Sequence, residues 1–229
     1  MGNRSIFMKG YPPKDKIKLL NEFHSFNKGI EKIMAEKFGE KFARNAARNI
    51  KKEFKSLLQD MPYIGGDENP LTVTLTSTTR DLAVYLVLKR MGKDVAEIGK
   101  ICYEYADKSL KDNSDKIMPM DNPQAINYLK YLAGESKKRK YPEDYVYDFV
   151  EGEDFDFGLD FTECAICKFF HQNGADEFVP YMCATDIPES KYGNLGLHRT
   201  GTLAEGYSKC DFRYKKGRKT KIASTVIKN

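Results

Sequence analysis

The segment YVYDFVEGEDFDFGLDFTE, Tyr145 to Glu163, decides the fold. In its second half Phe155, Phe157, Leu159 and Phe161 alternate with Asp154, Asp156, Gly158 and Asp160. Successive side chains of a strand point to opposite faces, so strict alternation predicts a strand with one greasy face and one acidic, solvated face. The first half, Tyr145–Val150, is rich in aromatic and β-branched residues and predicts another strand. Gly152 and Glu153 between the two runs predict a hairpin. The acids need no metal to account for them, because their order does not match an EF-hand loop.

Upstream of Pro142 the period is helical. Leu19, Phe23, Phe26, Ile30, Ile33 and Met34 recur at three and four, and Gly39 breaks the run. A second stripe carries Phe42, Ala46, Ile50, Phe54, Leu57 and Leu58, ended by Pro62 and Gly65-Gly66. Thr72 to Thr76 alternates like a strand, but Ser77-Thr78-Thr79 reads as a cap in front of a helix over Arg80–Met91. Asp94 and Glu97 form a capping box that opens a helix over Val95–Leu110, and Asn122-Pro123 opens another. Beyond the hairpin, Cys164–Gln172 reads as a helix and Phe178–Ser190 as a short helix or turn. Leu195–Thr200 and Lys209–Tyr214 read as two more strands. The fold expected is α+β: a helical N-terminal half packed on a C-terminal antiparallel β-sheet of about four strands, with a helical crossover. One domain is expected over residues 1–229, with a helical part at 14–140, a sheet part at 141–214 and a basic tail at 215–229.

Composition narrows the function classes. Phe and Tyr number 14 each in 229 residues, enough buriable surface to exclude overall disorder. No run of about 18 apolar residues predicts a membrane span. Met1 to Gly10 shows no secretory signal, so a cytoplasmic location is expected, with the five cysteines reduced. Three histidines, His24, His171 and His198, are too few for a histidine-rich metal site. The net charge of +5 is segregated: residues 1–60 carry fourteen Lys/Arg against seven Asp/Glu, and residues 143–163 carry nine acids and no base. No nucleic-acid-binding motif accompanies the basic parts, so they read as solvated faces and nucleic acid is not an expected partner.

Four of the five cysteines fall between 164 and 210. One reading makes Cys164, Cys167, Cys183 and Cys210 a tetrathiolate site for zinc or an iron–sulfur cluster, although only one Cys-x2-Cys pair is present. A second makes Cys164 or Cys167 a nucleophile in the first turn of a helix, where unpaired N–H groups favour thiolate. Simple packing is the third. Arg199 could hold a substrate carboxylate in a two-pronged pair, or form an internal ion pair with Asp186 or Asp211. Gly201 and Gly206 around Thr202 could bring amides close to an anion, but no phosphate-loop signature exists.

The runs FTECAICKFFHQNGADEFVPYMCATD (161–186) and LHRTGTLAEGYSKCDFRY (197–214) closely resemble the L-2-amino-thiazoline-4-carboxylic acid hydrolase family. The resemblance spans roughly residues 160–214, through a T-E-C-x-I-C-K block, a Y-x-C-A-x-D block and an R-T-x-T-L-A-x-G-x-x-x-C-D-F-R ending. It implies hydrolytic opening of a small cyclic amidine, 2-amino-thiazoline-4-carboxylate, to N-carbamoyl-cysteine, with no cofactor. Fitted to that chemistry, Arg199 with Thr202 and Asp211 would bind substrate. Glu163, Asp186 or Asp211 would meet the protonated amidine and activate water, and Cys164 or Cys167 would attack C2. The competing expectation is a small-ligand or metal-binding module without turnover. A homo-oligomer is compatible with either.

Overall fold

The computed structural model describes residues 13–117 and 122–227. The chain divides into two compact units, Met1–Tyr105 and Ala106–Asn229. The fold is α+β, with helices filling the first unit and the sheet confined to the second.

In the first unit, α1 (Pro13–Phe38) and α2 (Glu40–Asp60) are separated by Gly39, whose φ of 85° lies in the left-handed region that glycine enters freely. Their predicted stripes form the core: Phe23, Phe26, Ile30 and Met34 meet Ile50, Phe54 and Leu58, and the Phe23 and Phe54 rings stack at 4.2 Å. Helix α3 runs without a break from Leu71 to Arg90, which corrects the expected cap at Ser77-Thr78-Thr79. The hydroxyls do not cap. Thr76 donates to the Thr72 carbonyl at 2.7 Å and Thr79 to that of Leu75 at 2.8 Å, so each is satisfied within the helix. Helix α4 (Val95–Asp112) opens with the predicted capping box, the Glu97 amide donating to Asp94 Oδ1 at 2.9 Å.

The second unit holds α5 (Pro123–Ser136), capped by Asn122, which accepts from the Gln124 amide at 2.9 Å. Strands β1 (Val146–Val150) and β2 (Phe157–Glu163) form the predicted hairpin, and α5 packs on β1. Three helices follow: α6 (Ala165–Gln172), α7 (Val179–Ala184) and α8 (Asp186–Tyr192). They lead into β3 (His198–Arg199) and β4 (Cys210–Tyr214). The sheet order is β1-β2-β4-β3-β5, where β5 is Lys221–Ile222. This corrects the expected sheet of about four antiparallel strands: five are present, and β5 lies parallel to β3. The segment read as a basic tail folds back because its amides find partners. Lys221 donates to the Leu197 carbonyl at 2.9 Å and Ala223 to that of Arg199 at 3.0 Å, which buries Ile222.

One face of the sheet is aromatic. Tyr147 stacks on Phe161 at 4.7 Å, Phe157 on Tyr214 at 4.9 Å, and Phe161 meets Phe212 edge-on at 5.5 Å. The opposite face is acidic as expected, but Asp160 there is not solvated: it is 8% exposed and accepts from Lys209 at 2.6 Å and Arg213 at 2.7 Å. Burial pushes its carboxyl up, but the bonds from Arg213 and Lys209 outweigh burial and hold it below the ordinary value. A carboxyl lowered by folding stabilises fully above its unfolded pKa, and that contribution is lost as pH falls through the folded value. Asp160→Asn is therefore expected to cost about 1–2 kcal/mol at neutral pH. Urea unfolding at pH 7 and below pH 4 checks this: the gap between wild type and variant should narrow on acidification.

Candidate functional site

The junction between β2 and α6 carries the Cys-x2-Cys pair. Cys164 keeps extended backbone (φ −131°, ψ 119°) and stands at the N-cap of α6, with Cys167 in the first turn. Glu163, just before it, is clamped. Arg139 pairs with one of its oxygens and Lys168 reaches the other at 2.5 Å, while Lys168 also donates to the Pro142 and Asp144 carbonyls. The Lys168 bond is the largest influence on the Glu163 carboxyl; burial opposes it, and the Arg139 bond with the charges of both partners keeps it below the usual range. Both oxygens are committed to anchoring the strand–helix junction.

The expectation of a depressed pKa at Cys164 is not what its surroundings produce. The hydrogen bond to the Cys167 sulfur, then burial, push the Cys164 thiol well up, while the amides of Cys167 and Ile166 pull back only in part. Burial likewise pushes up the Cys183 thiol of α7, and the Cys210 thiol of β4 to about 11. Cys210 Sγ accepts from the Leu203 amide at 3.2 Å.

Arg199 on β3 is 2% exposed and resolves its two sequence readings toward an internal ion pair. Its Nη1 donates to Asp186 at the start of α8, and its Nη2 donates to the Cys183 carbonyl at 3.0 Å. Its guanidinium carbon lies 5.3 Å from the centre of the Phe212 ring, which sets it against the aromatic face of the sheet. Burial pushes the Asp186 carboxyl up, and the neighbouring Arg199 charge only partly opposes this.

Asp211 and Thr202 serve the loop between β3 and β4. Asp211 Oδ1 accepts from the amides of Thr200 and Gly201 at 2.8 and 2.9 Å, and Oδ2 accepts from the Thr200 hydroxyl at 2.5 Å. Thr202 donates to Glu205 at 2.9 Å. Of the three acids weighed from sequence, Glu163 and Asp211 thus have both oxygens occupied, whereas Asp186 engages Arg199 through Oδ2 alone.

The four cysteines of the segment share one neighbourhood. The Cys183 thiol feels the charges of Arg199, Asp186, Cys164 and Cys210. Cys164, Cys183 and Asp186 all remain partly accessible to solvent, yet protein surrounds them closely enough for burial to raise all three. Among the described residues no three His, Cys, Asp or Glu side chains are grouped as metal ligands. The fifth cysteine, Cys102 of α4, lies apart with Asp81 of α3, whose carboxyl burial pushes up to about 6. His171 is exposed and pairs with Asp176 at 2.9 Å, and His198 meets the Lys219 carbonyl at 3.1 Å.

The sequence model of the L-2-amino-thiazoline-4-carboxylic acid hydrolase family matches residues 75–214. The chain belongs to this family. No curated protein matches it. The family match starts inside α3 and ends on the last residue of β4, so it takes in the hairpin, the three crossover helices and every cysteine. It reaches well upstream of the segment whose motifs carry the resemblance. Tyr145 falls inside it and was missed as a site residue: it read only as part of an aromatic strand. The β1–β2 register, with Val146 opposite Glu163, sets it next to the start of α6, and its buried hydroxyl has no partner among the described residues.

Proposed function

We propose that the protein hydrolyses 2-amino-thiazoline-4-carboxylate, or a cyclic amidine close to it, to the N-carbamoyl thiol. One observation carries the reading. Family-motif residues from separate elements meet: Arg199 on β3 bonds Asp186 on α8 and the Cys183 carbonyl on α7, and the Cys183 thiol lies within electrostatic reach of Cys164, which stands with Cys167 at the start of α6. Asp186 offers its free Oδ1 to the amidinium N–H groups, and Arg199 holds the carboxylate in place from the other oxygen. Cys167, in the first turn of α6, is the sulfur proposed to attack C2, with Cys164 beside it at the N-cap.

In the first half-reaction a bond forms between Cys167 Sγ and C2, and the bond from C2 to the ring sulfur breaks. The electron pair goes to the ring sulfur, and the Cys167 proton ends there. Water then adds to the same carbon and the bond to Cys167 breaks. Cys167 is returned as a thiol, the carbamoyl group is released, and the proton brought by the amidinium is given up. No ammonia leaves and no cofactor takes part.

The setting proposed is cytoplasmic and reducing, with all five cysteines free; no helix of the described residues is long and apolar enough to cross a membrane. The test is incubation of purified protein with the aminothiazoline acid in ¹⁸O-labelled water. One new thiol per substrate consumed and one label in the carbamoyl oxygen are expected. No thiol release above heat-inactivated protein would overturn the reading. Zinc or iron at one site per chain in anaerobically purified protein would instead return the four cysteines to a metal-binding role.

A further inference from the structure

We propose that Tyr145 is a substrate-contacting residue, whose hydroxyl donates a hydrogen bond to the ring sulfur as the bond to C2 breaks. The inference rests on the hydrolase reading and adds a residue to it. Tyr145 directly precedes β1 and is 4% exposed, and its Oη has no hydrogen-bond partner within the protein. Buried hydroxyls are almost always bonded, so an orphan is a feature to be explained. Packing does not explain it. The ring is located by Phe161, which it meets edge-on at 6.0 Å, and phenylalanine would make the same contact. What the hydroxyl adds is one uncommitted donor beside the start of α6: the β1–β2 register sets Val146 opposite Glu163, and Lys168 of α6 bonds the Asp144 carbonyl at 3.0 Å, so Tyr145 lies next to the Cys164–Cys167 turn.

A substrate carbon bonded to Cys167 Sγ places its ring sulfur in that same neighbourhood. As the ring opens, this sulfur is the atom that gains negative charge. A fixed donor aimed at developing charge in a site screened from water acts as an oxyanion-hole donor does for a tetrahedral oxygen. Tyr145 keeps its proton throughout: burial first, and then the nearby sulfur and carboxylate charges, disfavour phenolate. The residue therefore stabilises charge and does not act as a proton shuttle.

Tyr145→Phe separates this role from a structural one. On the aminothiazoline acid, kcat is expected to fall about 100-fold with KM within about threefold, since the bond strengthens only in the transition state. The pH profile should keep its shape, because the lost group does not titrate in the working range. The variant should melt no lower than wild type, an unpaired buried hydroxyl having been removed. An unchanged kcat would overturn the assignment while leaving the hydrolase reading intact, and so would a rise in KM alone. A lower melting temperature would show that the hydroxyl is satisfied within the fold and would also overturn it. Failure of wild type itself to turn over would remove both readings.

Discussion

Arg199→Met is expected to destabilise the protein by about 3 kcal/mol, the lower end of what removing one member of a buried ion pair costs. The lower end applies because 26% of the Asp186 side chain remains exposed and can draw water when its partner is lost. Three contacts disappear at once: the pair with Asp186, the bond to the Cys183 carbonyl, and the stacking over Phe212. The first dominates, since it strands a carboxylate that burial already disfavours. Arg199→Lys should recover only part of the loss, because a point charge cannot reach both the carboxylate and the carbonyl as the planar fork does. Arg199→Met combined with Asp186→Leu should recover most of it, since no charge is then left unpaired. Guanidinium unfolding of wild type, Arg199→Met, Asp186→Leu and the double variant measures the coupling. An Arg199→Met loss under about 1 kcal/mol, with no recovery in the double variant, would show that the pair contributes little to stability. The double variant should stay inactive even where stable, because the free Asp186 oxygen is gone.

The unequal legibility of fold and site has physical causes. Helices α1 and α2 were readable because each buries one stripe and exposes the rest, leaving a period in the sequence. Helix α3 was readable only from Arg80 onward, because it is buried on several sides: Leu75, Thr76, Thr79, Leu82, Ala83, Val84, Tyr85, Val87 and Leu88 are all inside, and no stripe stands out. Its Ser77, Thr78 and Thr79 hydroxyls then look like caps, although each bonds within the helix. The hairpin was legible because alternation is local. The charge state of its acids was not, since Lys209 and Arg213 reach Asp160 from about fifty residues away and only the β2–β4 register brings them there. Strand β5 escaped because two residues carry no periodic signal.

The same logic governs the site. Motif spacing singled out Cys164, Cys167, Asp186 and Arg199; the fold pairs Arg199 with Asp186 and sets the two cysteines on one turn at the start of α6. Which carboxylate keeps a free oxygen is a matter of tertiary partners, so the three acids Glu163, Asp186 and Asp211 were indistinguishable by sequence. Tyr145 carries no signal at all: burial and the lack of a partner are properties of the folded chain, not of an aromatic residue in an aromatic run.

Cys167→Ser should lower kcat on the aminothiazoline acid on the order of 10³-fold or more, the scale seen when a covalent nucleophile is removed. The hydroxyl replacing the thiol fits the same space and is far less nucleophilic at neutral pH, so the fold is expected to survive and the loss to fall on chemistry. Cys164→Ser is the informative contrast. Cys164 lies beside Cys167 and is not the attacking sulfur, so a fall of only about tenfold is expected, within the range for a supporting contact. Acid-quenched intact-protein mass spectrometry gives a second readout. Wild type should show a population heavier by one whole substrate, because the ring opens on the enzyme without losing an atom, and Cys167→Ser should show none. Retained activity in Cys167→Ser would move the attack to water held by Asp186, and no adduct would then appear in any variant. Loss confined to Cys164→Ser, with the adduct now missing from that variant instead, would exchange the two sulfurs: Cys164 would be the nucleophile and its raised thiol pKa would be lowered by the bound amidinium.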